Sequence, residues 1–225
     1  MKKLFFVFFA AIFAFSCSNA PKGDKVETQE AKEVKKEASV EAETMSLKLD
    51  SCSIAWVGTK PSGQHNGTVG FKSGELKVKD GELVGGSFVT DMPSITVLDL
   101  EEGDEWHTKL LNHLKDKDFF DVDSFPTGSF EITAVEKVQN ATEKDGIVPT
   151  HKITGNLMLK DVTKSITFDA KVDVKDGMVM AKTGNIVLDR TEWGIKYKSK
   201  KFFSELKDKF INDEFSIAIS LEAAR

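Results

Sequence analysis

Alternation of apolar and polar side chains is the feature that most constrains this chain. In residues 165–174 one face carries Ile166, Phe168 and Ala170, and polar residues occupy the other. This two-residue period is typical of β-strands with one buried face. Asp80-Gly81 and Asp176-Gly177 separate such segments, and Asp-Gly pairs favour tight hairpin turns. The sequence therefore predicts an all-β, antiparallel fold.

Nine alternating segments fit a barrel of about eight strands. They cover residues 47–57, 68–71, 75–79, 82–92, 130–138, 151–159, 165–174, 178–189 and 215–221. Short turns between so many strands favour a closed up-and-down barrel, because closure leaves no free edge. The interior of such a barrel is either packed or holds one small ligand. A β-sandwich is the alternative that periodicity leaves open.

Two segments change to helical spacing and predict two short helices. Residues 101–115 place Trp106, Leu110 and Leu114 on one face. Residues 199–210 do the same with Phe202, Leu206 and Phe210. The first helix leads through an acidic loop to a strand at Phe130, and we interpret residues 110–130 as the lid and crossover of the barrel.

The N-terminus has the pattern of an export signal. Lys2 and Lys3 precede an apolar run over residues 4–15 that is too short to span a bilayer as a mature helix. Residues 14–17, Ala-Phe-Ser-Cys, resemble a bacterial lipobox. We therefore expect a lipoprotein signal peptide over residues 1–16 and acylation of Cys17. The alternative is an ordinary signal peptide cut elsewhere.

Residues 17–44 have few large apolar side chains and many Lys and Glu. Such a composition cannot offset the entropy of ordering, so we expect a disordered tether between the lipid and a folded domain at residues 45–225. Ser18 follows Cys17, with no Asp to suggest inner-membrane retention. The expected location is the bacterial envelope, anchored to the outer membrane on its periplasmic or surface side.

Charge and cysteine content restrict the partners further. The net charge of −5 becomes −7 once Lys2 and Lys3 are removed. An acidic surface argues against nucleic acid and against docking on anionic lipid by charge, but it leaves room for a locally basic mouth. Cys52 would be the one remaining thiol, and we interpret it as a small apolar strand residue.

An ordered set of short motifs runs through residues 49–221. It includes Trp56-Val-Gly58-Thr-Lys60, His65-Asn-Gly67-Thr, Gly85-Gly-Ser-Phe88-Val-Thr-Asp91-Met92, Leu111-Asn-His-Leu114-Lys, Asp118-Phe-Phe120-Asp-Val, Phe125-Pro-Thr127 and Asp189-Arg190-Thr191. As a set they resemble the YceI-like family of secreted bacterial proteins. The resemblance implies a lipocalin-like barrel that binds polyisoprenoids in an apolar tunnel.

The ligand site implied by this resemblance consists of inward apolar residues near the helix and crossover: Trp56, Phe71, Phe88, Met92, Leu110, Leu114, Phe119, Phe120, Phe125 and Phe168. His65 is a candidate for hydrogen bonding to a head group or quinone oxygen, or it ties down its own loop. Arg190 is a candidate for holding a pyrophosphate, or it pairs with a carboxylate such as Asp91. No catalytic or metal-binding motif was found.

The sequence thus predicts non-enzymatic binding, sequestration or carriage of a long-chain isoprenoid or similar amphipathic lipid in the cell envelope. No cofactor is expected beyond a bound isoprenoid or quinone lipid, and the only other expected partner is the membrane. Two alternatives stay open. One is a structural or stress-related envelope protein with a filled barrel. The other is an enzyme acting on a bound lipid through His65 and a carboxylate.

Overall fold

The computed structural model describes residues 20–34 and 41–225. Within these ranges it has twelve strands and one α-helix. In chain order they are β1 Asp24–Lys25, β2 Gln29–Glu30, β3 Glu43–Leu47, β4 Ser53–Lys60, β5 Gly63–Lys79, β6 Glu82–Asp91, α1 Glu105–Lys115, β7 Ser129–Lys137, β8 His151–Leu159, β9 Val162–Lys175, β10 Met178–Thr183, β11 Ile186–Asp189 and β12 Glu214–Ala224. No described helix is long and apolar enough to cross a membrane.

Eight of these strands form a closed ring. Antiparallel pairing runs from β4 through β5, β6, β7, β8, β9 and β10 to β12. β12 then pairs with β4, from Phe215 opposite Gly58 to Ser220 opposite Ser53. The predicted antiparallel barrel is therefore confirmed, and the β-sandwich alternative is wrong.

The two ends of the barrel are built differently. The lower end carries the tight turns after β5 and β9, at residues 80–81 and 176–177. The upper end carries the crossover at residues 92–128, which includes α1, and the segment at residues 190–213 between β11 and β12. The Asp104 carboxylate caps α1 by accepting from the Trp106 N–H at 2.6 Å. The predicted helix in the crossover is confirmed, and its buried Leu114 packs on the core. The placement of Trp106 on the same buried face is wrong, because that side chain is 67% exposed.

The predicted helix at residues 199–210 is wrong. The structure has one short 3-10 turn there, Ser204–Leu206. Lys198 and Lys207 adopt positive φ angles of 47° and 49°, which a right-handed helix does not allow. Phe202 is 47% exposed, so the spacing of its aromatic neighbours does not mark a buried helical face.

The disordered tether expected over residues 17–44 needs correction for residues 20–34. β1 pairs in parallel with β11, and β2 pairs antiparallel with β9. The segment thus fills the gap in the upper wall between β9 and β11. The segment is ordered by backbone hydrogen bonds, because the unpaired N–H and C=O groups of an open strand edge bind the backbone even of a polar segment. Residues 1–16 and Cys17 lie outside the described residues.

Candidate functional site

A cavity of about 130 Å³ lies in the upper half of the barrel. The alternating strands supply its wall, and α1 with the following loop supplies Leu114, Phe119 and Phe120 as a lid. The other wall residues are mostly apolar and include Ile54, Trp56, Val69, Phe88, Met92, Ile95, Phe130, Leu157, Leu159, Ile166, Phe168, Leu188, Phe215, Ile217 and Ile219. The space therefore favours hydrocarbon over polar groups.

An aromatic layer, Phe88, Phe130 and Phe168, forms the floor of this cavity. The Phe88 and Phe130 rings stack with centroids 5.3 Å apart, and Phe130 lies 5.6 Å from Phe168. A smaller cavity of about 40 Å³ beneath is lined by the same three residues. Gly155 makes room for the layer, because a Cβ atom there would lie 2.2 Å from the Phe130 ring. The layer divides the interior into an upper and a lower chamber.

Eight of the twelve predicted site residues lie on the wall of the upper chamber: Trp56, Phe88, Met92, Leu114, Phe119, Phe120, Phe168 and Arg190. Four do not. Phe71 packs edge-on behind Phe88 at 5.2 Å, and Leu110 packs on the outside of the core. Phe125 lies under the Lys160 ammonium at 5.8 Å, and His65 pairs with Asp99. Their assignment to a ligand stays a prediction.

Sequence reasoning missed a second group of wall residues. Phe215, Ile217 and Ile219 of β12 face the chamber, together with Ile54 of β4. The sequence shows their alternation, but the predicted site contains only residues near the helix and crossover. Pairing of β12 with β4 places Ile217 opposite Trp56 and Ile219 opposite Ile54. This neighbourhood follows from closure of the ring, which the sequence does not show.

The indole of Trp56 is the most unusual polar group on the wall. Its Nε1–H is buried and has no hydrogen-bond partner within the described residues. An unpaired buried donor costs about 1–3 kcal/mol, so a partner from a ligand would recover that energy. The chamber surface itself is apolar, so this donor reaches a ligand carbonyl or hydroxyl oxygen only after side chains around it move.

Arg190 lines the chamber, but its donors are largely occupied. It is 3% exposed and donates to the carbonyls of Ile195 at 2.7 Å and Asn212 at 3.1 Å. It also bonds to the Ile211 carbonyl and to Asp213, at 3.2 and 3.3 Å. Burial lowers its pKa, and Asp213 and Asp189 oppose that shift. This geometry favours the structural alternative, with Asp213 rather than Asp91 as the carboxylate partner.

His65 lies outside the chamber wall, in the turn region of β5. Its Nδ1 is 2.7 Å from Asp99 Oδ2, and Asp99 also accepts from the Asn66 N–H at 2.9 Å. Burial opposes ionisation of Asp99, but the Asn66 and His65 hydrogen bonds outweigh it and lower the pKa of Asp99. The pair ties the β5 strand to the crossover and presents no group to the chamber, as an acid–base catalyst would need.

The volume sets a limit on what the closed chamber holds. A cavity of roughly 150 Å³ holds one benzene molecule, so the 130 Å³ here suits a group of similar size. A longer chain requires movement of the lid or of the aromatic layer. The described residues contain no group of three or more His, Cys, Asp or Glu placed to bind a metal.

Comparison with known protein families gives a match that spans most of the chain. A family model described as YceI-like domain matches residues 36–223. The chain belongs to the YceI-like family. No curated protein matches the sequence.

Two solved structures share the YceI-like fold. One is Burkholderia cenocepacia BcnA, with 17% identity and a TM-score of 0.59, covering 79% of this chain and 99% of that one. The other is a polyisoprenoid binding domain from Saccharophagus degradans implicated in plant cell wall breakdown, with 11% identity and a TM-score of 0.54. It covers 80% of this chain and 97% of that one. At these identities the likeness concerns the fold.

Proposed function

We propose that this protein binds a long-chain isoprenoid or similar single-chain amphiphile without chemical change, and sequesters or carries it in the bacterial envelope. The observation that carries the proposal is the apolar upper chamber with its crossover lid. The name of the Saccharophagus degradans domain, a polyisoprenoid binding domain, supports the choice of ligand class. Apolar walls with few polar groups are typical of lipid sites.

The polar groups of the chamber favour a ligand with a neutral head. Arg190 is committed to carbonyls and Asp213, and Glu214 is paired with Lys25 at 2.5 Å. A diphosphate buried in the chamber would need free cations to offset its desolvation. The unpaired Trp56 Nε1–H, once side chains around it move to expose it to the chamber, fits a single neutral oxygen. An isoprenoid alcohol or a quinone has such an oxygen.

Binding of a long tail requires the chamber to expand. The lid residues Phe119 and Phe120 contact each other edge-on at 5.2 Å and come from a loop rather than a strand. Loop movement breaks fewer hydrogen bonds than movement of the wall, because strand residues are held on both sides. We therefore place ligand entry at the lid.

Export and lipid anchoring at Cys17 complete the proposal. Because residues 20–34 lie against the barrel, the segment from Cys17 to β1 is short: six residues, 18–23. Six residues span at most about 20 Å. An acylated Cys17 would therefore hold the barrel close to the membrane rather than at the end of a long tether.

A filled structural barrel is the second candidate, and the small chamber volume favours it. Native mass spectrometry of residues 18–225, which contain every described element, separates the two. We expect the chain to take up geranylgeraniol or a short quinone at one equivalent. A spectrum that stays ligand-free at saturating probe would contradict lipid binding and favour the filled barrel. A control addition of a hydrophilic polyol, which has no apolar group to fill the chamber, should leave the mass unchanged.

A further inference from the structure

The segment at residues 196–210, termed here the basic loop, has a charge opposite to that of the whole protein. It contains six lysines against Glu205 and Asp208, a net charge of +4 in a chain of net charge −5. Lys201 is paired with Asp189. Within the described ranges, Lys196, Lys198 and Lys200 form no ion pair with any carboxylate. The loop is therefore a concentrated cationic surface on an acidic protein.

Two large aromatic side chains extend from the same loop. Phe202 is 47% exposed and Phe203 is 42% exposed. The Lys196 ammonium lies 4.7 Å from the centre of the Phe202 ring, and the Lys200 ammonium lies 3.7 Å from that of Phe210. Exposed adjacent Phe residues surrounded by Lys match the composition of surfaces that enter the headgroup region of a bilayer.

The basic loop borders the mouth of the upper chamber. The Ile211 N–H donates to the Lys198 carbonyl at 3.0 Å, and the Asn212 N–H donates to the Thr59 carbonyl at 3.0 Å. Ile211 and Asn212 themselves line the chamber. The Tyr197 ring lies 4.4 Å from the His113 ring, which in turn contacts Phe119 of the lid. Loop, mouth and lid are thus one contiguous surface.

We propose that the basic loop docks the upper end of the barrel on an anionic phospholipid surface. Phe202 and Phe203 enter the interfacial region, and the lysines contact headgroup phosphates. The mouth of the chamber then faces the bilayer, and a lipid passes between the two without crossing water. This last step rests on the proposed function, whereas docking itself does not. The overall acidity of the protein is compatible with docking, since the interaction falls off within a Debye length of about 10 Å.

Vesicle co-sedimentation of residues 18–225 tests the docking. Vesicles of phosphatidylglycerol with phosphatidylethanolamine should bind the chain at least about tenfold better than phosphatidylcholine vesicles, because several lysines contact the anionic surface together. High salt should remove most of the difference. Equal binding to both vesicle types overturns the proposal, as does single-stranded DNA binding of comparable strength, which would identify a nucleic-acid surface.

Two variants with matched controls locate the contact. Replacing Lys196, Lys198 and Lys200 by Gln should weaken anionic vesicle binding about tenfold or more, and Phe202→Ala with Phe203→Ala should weaken it similarly. The control for charge replaces Lys171, Lys175 and Lys182 by Gln. The control for exposed apolar surface replaces Met178 and Met180 by Ala. All five residues lie in the β9–β10 hairpin. A control that loses as much binding as its partner overturns the assignment to the loop.

Geranylgeraniol binding in vesicle-free solution separates the two proposals. Loop variants should keep its equilibrium affinity but receive it more slowly from anionic vesicles. If the unmodified chain docks but takes up no geranylgeraniol, the proposed function fails and the docking stands. If it takes up the alcohol and shows no preference for anionic vesicles, the docking fails alone.

Discussion

The lower and upper halves of this barrel have the same alternation of apolar and polar strand residues but enclose cavities of different size. In the lower half Leu76, Val179 and Ala223 are at most 1% exposed, and the cavity that Leu76 lines measures only about 40 Å³. In the upper half the space is 130 Å³, and wall residues such as Trp56 and Phe215 are only partly buried. The lower half thus resembles an ordinary core, and the upper half resembles a site.

The difference follows from how each end is closed. At the lower end β3 bridges β5 and β12, so strand pairing itself seals the barrel. At the upper end the wall between β9 and β11 is completed by the two-residue strands β1 and β2, and the top is covered by the crossover. We therefore expect more of the stability in the lower half and easier opening of the upper half, as the proposed binding of a long tail needs.

Removing the layer between the halves should have the largest effect. Phe130→Ala would join the two chambers and cost about 3–5 kcal/mol of unfolding free energy, measured by urea denaturation. If the variant remains folded, it should also accept an isoprenoid alcohol with a longer tail than the unmodified chain. Phe130→Leu is the milder version for use if the Ala variant does not fold.

Phe71→Ala is the matched control for that experiment. It removes the same atoms from a residue that is 7% exposed and lines neither chamber. We expect a comparable loss of stability without a change in the preferred tail length. If both variants shift the tail length equally, the aromatic layer is not what limits it.

A pair of Leu→Ala variants tests whether stability is concentrated below the layer. Leu76 is 1% exposed in the lower half, and its truncation should cost about 2–5 kcal/mol. Leu157 is half-buried on the upper wall, beside existing empty space, and its truncation should cost less than about 2 kcal/mol. Equal losses in urea unfolding would show that the two halves contribute alike.

Much of the lower half was predictable from sequence, because alternation and Asp-Gly turns are local signals. The hairpins at Asp80-Gly81 and Asp176-Gly177 are where those residues predict them. The predicted strand at residues 47–57 changes phase near Asp50, and the structure divides it there into β3 and β4 with the 3-10 turn Leu49–Ser51 between them. Strand ends of this kind depend on residues that are neighbours in the sequence, so the sequence predicts them.

The upper half was harder to predict because its features depend on contacts distant in sequence. Pairing of β1 and β2 with the barrel depends on an unfilled edge that is created more than 130 residues later. Arg190 pairs with Asp213 because the segment at residues 190–213 leaves the end of β11 and returns beside it. The separation of the two residues in sequence does not predict this ion pair. Likewise, the Trp56 Nε1–H is unpaired because none of the residues packed around it supplies an acceptor, and the sequence does not show which residues those are.

Trp56→Phe should have a smaller effect and one confined to the upper half. The change removes the unpaired Nε1–H and keeps most of the ring, so stability should change by no more than about 1 kcal/mol. Affinity for an isoprenoid alcohol should fall about tenfold, since one hydrogen bond is lost. Affinity for an isoprenoid hydrocarbon of equal length should be unchanged, measured by displacement of a fluorescent fatty probe. A parallel loss for both ligands would mean that Trp56 contributes only packing.

The smallest expected effect is a difference in pH response between the two ends. His151 is the first residue of β8 and lies at the lower end of the barrel. Burial lowers the pKa of His151 below its ordinary value of 6.5, and the charge of Glu82 only partly opposes this. The unfolded chain then binds the proton more readily. Stability from this site is therefore present above pH 6.5 and declines as pH falls towards the native pKa.

Asp189, at the upper end, responds in a lower pH range. Burial would raise its pKa, but hydrogen bonds from Lys201 and Thr191 outweigh burial and lower the pKa below 3.8. Its contribution is therefore present above pH 3.8 and lost only as pH falls further. Melting temperature followed against pH should show two separate declines. His151→Gln should remove the decline at higher pH. Asp189→Asn should weaken the decline at lower pH, to which Asp99 and Glu82 also contribute because their pKa values are lowered. If either variant removes both declines, the two ends do not titrate independently.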